Sequence, residues 1–264
     1  MVNVKVLKSG SSGNSVFVQG NETKILVDAG VSGKVIEKEL QDLDVEPSEL
    51  SGILVSHEHS DHVKGLGPLS RKFDIPVYAT ARTWPKLVDF IGEIKDNNER
   101  ELHKAGFEIG DLFVSVFPVS HDAVDPLGFN LETGNIKISI ATDCGVFSPV
   151  MIDRVRNSNC LIVESNHDPK LLQEGRYPEF LKKRIKGVKG HLSNDDLAEK
   201  LEDIVSPKTT DVILAHLSEE NNEPRLAYSR AEKSLNFMGV FPEEIGLKVA
   251  DRKAGSSLVQ IRKG

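Results

Sequence analysis

The sequence predicts an α/β protein built as a four-layer αβ/βα sandwich, in which two sheets lie face to face and helices cover their outer faces. Short apolar strand patterns are followed by helical patterns twice along the 264 residues, and each half is too apolar to stand alone. No heptad repeat, low-complexity tract or long linker divides the sequence. We therefore expect a single domain over residues 1–264 with two equivalent halves, about 1–105 and 106–264.

The first half contains several β-branched strand patterns. Strands are expected over the segments 2–6, 16–18, 24–27, 52–55 and 75–78. The stretch 9–14, rich in glycine and serine, predicts a turn between the first two strands. Ser32 is expected to cap a helix that is apolar along one face, and a second helix is expected over 84–91. The expected apolar face consists of Val35, Ile36, Leu40 and Leu43.

The second half repeats the order of strands followed by helices. Strands are expected over the segments 113–119, 128–132, 136–141, 161–163, 211–215 and 247–250. Ser193 is expected to cap a helix, because apolar residues at helical spacing follow it as far as Val205. Pro224 stands where the first turn of another helix tolerates proline. The repetition favours two sheets over one.

Composition and charge exclude several classes of protein. The formal net charge of −7 argues against a surface coated with basic charge for non-specific nucleic-acid binding, although it permits a local basic patch. No apolar run approaches the roughly 18 residues that span a bilayer, and Lys5 and Lys8 interrupt any signal-peptide pattern. Cys144 and Cys160 cannot form a disulfide framework. We therefore expect a cytoplasmic protein with no membrane partner.

The most informative segment follows the strand pattern 52–55. Three histidines and an aspartate occur within six residues, at His57, His59, Asp61 and His62. Imidazole nitrogens and a carboxylate suit zinc, manganese or iron. Packing such groups together without a metal is costly, because each loses its water shell. The cluster therefore predicts a metal site.

Three more metal-capable side chains lie just beyond apolar strand patterns, where loops gather into sites. They are His121, Asp143 and His216. Each is weak support when taken alone, but their shared position at strand ends indicates that they join the histidine cluster. The cluster alone is too small for two ions, and the added donors favour a centre for two divalent metal ions.

Five ordered segments resemble the motifs of the metallo-β-lactamase superfamily. They are residues 28–30 (Asp-Ala-Gly), the cluster at 57–62, His121, residues 141–143 (Ala-Thr-Asp) and His216. The resemblance covers nearly the whole chain. The resemblance implies the sandwich of that superfamily and a hydrolase with two Zn²⁺ or Mn²⁺ ions.

The same resemblance implies the role of each donor. The ligands would form two sets bridged by one aspartate: His57, His59 and His121 for the first ion, Asp61, His62 and His216 for the second, and Asp143 between them. Asp28 would orient a ligand histidine without binding metal. On physical grounds, Asp61 and Asp143 can both orient the attacking water while they bind metal, and Asp61 is the candidate catalytic residue.

Within the superfamily, the sequence is most similar to nuclease-like proteins of the WalJ/YycJ type. The matching segments are 9–15, 164–167, 190–193 and 215–218. That likeness implies a DNA exonuclease. A more distant similarity to ribonuclease Z implies that His191 is a catalytic proton donor near the scissile phosphate and that Glu164 supports the metal site.

A basic segment, residues 170–191, precedes the candidate proton donor. It carries seven basic side chains against two acidic ones in an otherwise acidic chain. Lys182, Lys183, Arg184 and Ser193 are candidate phosphate-binding residues, and a solvated helix face is the alternative. Two nearby side chains are less informative. His167 is left open between a role in the site and a surface position, whereas Cys144 is expected to pack in the interior.

Other functions share parts of this pattern. Small-molecule phosphodiesterases that act on cyclic phosphates share the expected centre, and thioester hydrolases share it without accounting for His191 or the basic segment. A β-lactamase would need an export signal, which the sequence lacks, and a flavodiiron protein would carry glutamate in place of His59. The sequence therefore predicts a dinuclear phosphodiester hydrolase, with DNA as the expected substrate, and leaves the native metal, the cleavage polarity and the oligomeric state unassigned.

Overall fold

The computed structural model describes residues 1–241 and 244–262, and its strands form two sheets. The strands in chain order are β1 (Val2–Lys8), β2 (Ser15–Gln19), β3 (Lys24–Val27), β4 (Gly52–Leu54), β5 (Val77–Ala79), β6 (Glu99–Glu101), β7 (Phe107–Ile109), β8 (Leu112–Pro118), β9 (Leu127–Thr133), β10 (Ile136–Ala141), β11 (Cys160–Glu164), β12 (Asp211–Ala215), β13 (Gly246–Val249) and β14 (Val259–Ile261). The sheet orders are β14-β1-β2-β3-β4-β5-β6 and β13-β12-β11-β10-β9-β8-β7. This arrangement confirms the predicted αβ/βα fold.

Helices connect the strands and cover the outer faces of both sheets. They are α1 (Gly33–Gln41), α2 (Ser60–Val63), α3 (Leu66–Phe73), α4 (Trp84–Ile91), α5 (Pro149–Val155), α6 (Pro169–Glu174), α7 (Glu179–Ile185), α8 (Asn194–Ile204) and α9 (Pro224–Phe237). Short 3₁₀ turns occur at Pro47–Glu49 and Asp96–Asn98. None of the helices in the described part of the chain is long and apolar enough to cross a membrane.

The core consists of three apolar layers. Between the sheets, side chains such as Ile25 and Phe129 pack together, while Leu161 faces α8 and Leu26 faces α1. β11 is buried on both faces, which explains why its sequence is a continuous apolar run and does not alternate.

Strand direction places one set of strand ends along a common edge. In the second sheet β10, β11, β12 and β13 are parallel, and β8 and β10 are both antiparallel to β9. The carboxyl ends of β8, β10, β11 and β12 therefore lie on the same side. In the first sheet β3, β4, β5 and β6 are likewise parallel.

The last described strand extends the first sheet. β14 pairs with β1 in antiparallel fashion, with Val2 opposite Ile261 and Val4 opposite Val259. Residues from both ends of the described chain thus share a sheet, and the expected division into two halves near residue 105 stays a prediction.

Local expectations differ from the structure in a few places. Ser32 holds the N-cap position of α1, but its side chain accepts no hydrogen bond within the described residues. Val35, expected on the buried face of α1, is 37% exposed, whereas Ile36 and Leu40, expected on the same face, are buried. By contrast, Ser193 caps α8 as expected from the sequence, and its side chain accepts a hydrogen bond from the amide of Asp196 in a capping box.

Candidate active site

The histidine cluster lies between the carboxyl end of β4 and the first turn of α2. His57 occupies the loop after β4, His59 is the residue before α2, and Asp61 and His62 lie within this four-residue helix. Such a short connection turns several side chains toward the same edge of the sheet. The predicted cluster therefore faces the strand ends of the second sheet.

One group of donor atoms comes from three histidines. Nε2 of His57 lies 3.1 Å from Nδ1 of His59, which lies 3.3 Å from Nε2 of His121. Burial lowers the pKa of His57 well below its ordinary value and also lowers that of His121. Neutral rings present lone pairs, so His57 and His121 have the protonation state that a metal ligand needs.

A second group contains Asp61, His62 and His216. Oδ2 of Asp61 lies 3.6 Å from Nε2 of His62 and 3.9 Å from Nε2 of His216. Burial disfavours the charged ring of His216, but neighbouring carboxylates, Asp143 first among them, outweigh burial and raise its pKa to about 10. A divalent cation would replace the Nε2 proton, because metal binding displaces protons from its ligands.

Asp143 lies between the two groups. Its Oδ2 is 3.3 Å from Nε2 of His62, and its Oδ1 is 3.9 Å from Nε2 of His121. Burial opposes ionisation, but the positive charges of His216 and His62 outweigh it and lower the pKa of Asp143 well below its ordinary value. The carboxylate is therefore placed to contact both groups while ionised.

The donor set fits divalent metal ions on independent structural grounds. Oδ2 of Asp143 and Nε2 of His216 are buried and have no hydrogen-bond partner among the described residues. Buried polar atoms without partners are rare and call for an ion or a similar explanation. Because imidazole and carboxylate donors surround these atoms, the residues fit zinc or manganese.

Backbone conformation at three site positions is strained. Asp28, Asp143 and His216 each follow a strand closely and have φ values of 62°, 56° and 58°. This left-handed region is uncommon for residues with a Cβ and concentrates at functional sites. The turn after each strand thus directs a side chain back toward the shared edge.

Asp28 orients the histidine cluster from behind. Its Oδ2 lies 2.7 Å from Nδ1 of His62 and accepts the Ser56 hydroxyl at 2.7 Å, while its Oδ1 accepts the Ser56 amide. Ser56 Oγ in turn lies 2.9 Å from Nδ1 of His57. We assign a ring proton of each histidine to Nδ1, so Nε2 would be the nitrogen that binds a metal, after His62 gives up its second proton. Ser56 was not identified from the sequence, since a single serine before the cluster carries no distinctive signal.

Glu164 plays a similar part on the other side. It ends β11, is fully buried, and places Oε1 2.7 Å from Nδ1 of His216 and 2.8 Å from Nδ1 of His191. Its Oε2 accepts the amides of Cys144 and Leu192. Burial raises the pKa of Glu164, but His191 and His216 outweigh burial and lower it. The carboxylate is thus held as an anion that orients two rings.

His191 lies beside both donor groups. Its ring centre is 5.1 Å from that of His216 and 5.2 Å from that of His121, and its side chain is 20% exposed. Because Nδ1 faces Glu164, we assign Nε2 to the open side of the ring. The position suits a group that reaches a bound substrate.

The four candidate phosphate-binding residues lie in different environments. Arg184 is exposed and donates to Oδ2 of Asp122, the residue after His121, at 2.7 Å, so it lies at the rim of the site. Lys183 is exposed. Lys182 is buried and donates to the carbonyl of Gln173 at 2.7 Å.

Ser193 lies in a different setting from the lysines and arginine. It is also buried, and its hydroxyl donates to Asp196 in the capping box. The described contacts of Lys182 and Ser193 therefore argue against a phosphate role for these two residues.

The structure also places two residues whose environment was uncertain. Cys144 is buried, as expected. His167 is only 3% exposed, so a surface position is wrong, and burial lowers its pKa to about 4. Its carbonyl accepts a hydrogen bond from the amide of Asn194 at the start of α8.

Asn14 was not identified as a site residue from the sequence, although its side-chain amide nitrogen lies 3.0 Å from Nε2 of His62.

Comparison with known proteins places the chain in a family. The family described as the beta-lactamase superfamily domain matches residues 23–216. The chain therefore belongs to the β-lactamase superfamily, and it is a metal-dependent hydrolase with the metallo-β-lactamase fold.

Individual relatives define a narrower group. The chain is 41% identical over 236 residues to the exodeoxyribonuclease YycJ of Bacillus anthracis, covering 89% of each protein. It is 38% identical over 227 residues to the exodeoxyribonuclease WalJ of Streptococcus pneumoniae, covering 84% of each. Among solved structures, the metallo-beta-lactamase fold protein YhfI of Bacillus subtilis has a TM-score of 0.71 at 15% identity, covering 98% of this chain and 100% of that one. The last likeness concerns the fold alone.

Proposed function

We propose that this protein is a DNA exonuclease that uses two divalent metal ions, Zn²⁺ or Mn²⁺. The observation that carries the proposal is the position of Asp143 between two groups of histidine and carboxylate donors, with a buried oxygen that has no hydrogen-bond partner among the described residues. One group would consist of His57, His59 and His121. The other would consist of Asp61, His62 and His216, with Asp143 shared between them.

The chain's own residues account for the remaining chemistry. When bound, two divalent ions polarise a phosphodiester and make water a competent nucleophile near neutral pH. Asp61 lies at the edge of this space, where its carboxylate can orient the attacking water. His191 presents Nε2 to the leaving oxygen and donates a proton to it as the phosphorus–oxygen bond breaks. Glu164 holds Nδ1 of His191 and so fixes the direction of that transfer.

DNA as the substrate is supported by the relatives and by the rim of the site. Both bacterial relatives, at 41% and 38% identity, bear the name exodeoxyribonuclease. Arg184, with a side chain that is 58% exposed, lies beside the first donor group and offers a guanidinium to the backbone of a strand that enters the site. We place this activity in the cytoplasm, as expected from the sequence.

Cleavage assays test the proposal directly. DNA and RNA labelled at either end would be incubated with the purified protein and Mn²⁺, Zn²⁺ or Mg²⁺, and the products would be sized over time. We expect single nucleotides or short fragments released from a DNA end, and loss of cleavage with chelator. Replacing both His57 and His59 with alanine should abolish activity, whereas His103→Ala, at an exposed histidine, should not.

The result can also favour the alternative substrate class. Hydrolysis of a small phosphodiester or cyclic phosphate without release of nucleotides from DNA would replace the nuclease with a small-molecule phosphodiesterase. If the double variant that lacks His57 and His59 still cleaves DNA, the proposed metal centre does not carry out the reaction.

A further inference from the structure

The turn between β1 and β2 contacts both halves of the site. In the 9–14 turn and the residue that follows it, three side chains reach residues around the second donor group. The Ser9 hydroxyl accepts the backbone amide of His216 at 2.6 Å. The Asn14 amide nitrogen lies near His62, and the Ser15 hydroxyl donates to the carbonyl of Asp28 at 2.8 Å.

Asn14 makes the most extensive set of these contacts. Its backbone amide donates to the carbonyl of Asp61 at 2.8 Å, and its side-chain nitrogen lies 3.4 Å from Oδ2 of Asp61 and 3.0 Å from Nε2 of His62. Its Oδ1 accepts the Gly10 amide at 2.8 Å, which fixes the side chain so that its nitrogen faces the donor atoms. The side chain is therefore held within the turn and directed at two proposed ligands.

Close packing makes this contact specific. The backbone carbonyl of Asn14 accepts a hydrogen bond from the amide of Gly30. A Cβ on Gly30 would lie 1.7 Å from the carbonyl oxygen of Asp61. Only glycine allows the Asp61 backbone to approach the turn this closely. The separation between the turn and the first residues of α2 is thus set by direct backbone contact.

The turn also joins the two sheets. It belongs to the first sheet through β1 and β2, whereas His216 follows β12 of the second sheet. Ser9 and Asn14 are both buried, at 2% and 8% exposed. Contacts to His216 from Ser9 and to Asp61 and His62 from Asn14 therefore fix the distance between ligands that come from opposite halves of the sandwich.

We propose that Ser9 and Asn14 are positioning residues that set the geometry of the second metal site. The inference rests on the proposed dinuclear centre and concerns residues that do not themselves bind metal. Side chains that hydrogen-bond metal ligands typically change metal affinity by about 10–100-fold when they are removed. Because these two residues contact Asp61, His62 and His216, and no residue of the His57, His59 and His121 group, the effect should fall on one ion.

Metal titration of the intact protein tests this selectivity. Co²⁺ would be added to metal-free wild type and to Asn14→Ala and Ser9→Ala, with binding followed by visible absorption and by metal analysis after dialysis. We expect one of two Co²⁺ equivalents to bind about 10–100-fold more weakly in each variant, while the other keeps its affinity and spectrum. Ser12→Ala, at an exposed position of the same turn, should match wild type.

A structural role for the turn would give a different result. If Asn14→Ala and Ser9→Ala bind both equivalents as wild type does, or weaken both equally together with a fall in the melting temperature of the metal-free protein, the proposal is wrong. If one variant fails to fold, the other decides, because it acts through a different hydrogen bond. Wild type that takes up fewer than two equivalents would instead contradict the proposed dinuclear function.

Discussion

Oε1 of Glu164 lies 2.8 Å from Nδ1 of His191, and the same oxygen lies 2.7 Å from Nδ1 of His216. The other carboxylate oxygen accepts two backbone amides. Every described contact of this buried side chain is therefore with a donor. A neutral amide at this position would bring its own N–H groups against at least one of them.

Replacing Glu164 with glutamine should consequently weaken the site while keeping its shape. We expect a loss of about 1–3 kcal/mol in the free energy of unfolding, because a buried donor loses its acceptor. We expect turnover on DNA to fall about 10–100-fold, since the two rings no longer face a carboxylate anion. Denaturant unfolding and steady-state kinetics measure the two effects. Wild-type turnover in this variant would show that the orientation of His191 is unimportant.

His191→Ala should separate proton donation from metal binding. General acid catalysis contributes typically about 10²–10⁴-fold, so kcat should fall by that amount while metal content stays at the wild-type value. Rate measurements paired with metal analysis of the same preparation test this. If metal is lost together with activity, His191 is a ligand and its assignment as proton donor fails.

The basic segment should divide into residues with different roles. Arg184→Ala should weaken DNA binding and reduce the slope of log affinity against log salt by up to about 0.9, the value for one phosphate contact. Lys182→Ala should lower stability and leave the slope unchanged, because its ammonium group bonds to the carbonyl of Gln173. Arg156→Ala is the control and should leave the slope unchanged, because Arg156 lies at the end of the second sheet opposite the site. If wild type and the three variants all show the same salt slope, the basic segment is a solvated helix face and does not bind phosphate.

Asp111 should make stability depend on acid pH. Burial opposes ionisation of Asp111, but hydrogen bonds from Thr23, Asn21 and Glu22 outweigh it and lower its pKa well below the ordinary value. A depressed pKa contributes stability above the unfolded value of about 3.9, and this contribution is lost as the pH falls toward the folded value.

Comparison of Asp111→Asn with wild type tests whether the contribution of Asp111 to stability falls as the pH falls. At pH 7 the variant should be less stable by about 1 kcal/mol, a value reduced for solvent screening of this partly exposed group. The difference should shrink as denaturant unfolding is repeated from pH 7 down to pH 3. Asp89→Asn, at an exposed carboxylate, should show no such trend. A constant difference across this range would contradict the linkage.

The sequence predicted the parts of the molecule that depend on local order. The strand patterns, the helix cap at Ser193 and the cluster from His57 to His62 are contiguous, so composition and spacing are enough to identify them. His121, Asp143 and His216 could be added because each follows a strand, and parallel strands bring such positions to one edge.

Contacts between distant segments were beyond the sequence. The hydrogen bond from the backbone amide of His216 to the Ser9 hydroxyl joins residues 207 positions apart, and no sequence pattern near either residue predicts this contact. Short helices such as α6 and α7 contain too few turns for a clear apolar period, and β14 has only three residues. Ser193 was assigned two roles because the same serine pattern suits a helix cap and a phosphate contact, and only the structure shows its hydroxyl bonded to Asp196.

The left-handed backbone at Asp28, Asp143 and His216 affects how this centre should be mutated. An alanine there keeps the left-handed conformation of the native residue, which costs about 1–2 kcal/mol, but loses the side-chain contacts that hold it, so an alanine scan would combine lost chemistry with lost stability. Glycine removes the side chain and adopts the same φ freely. Inactive glycine variants at these positions should therefore fold more stably than the matching alanine variants, which makes them the better scaffolds for trapping a bound nucleic acid.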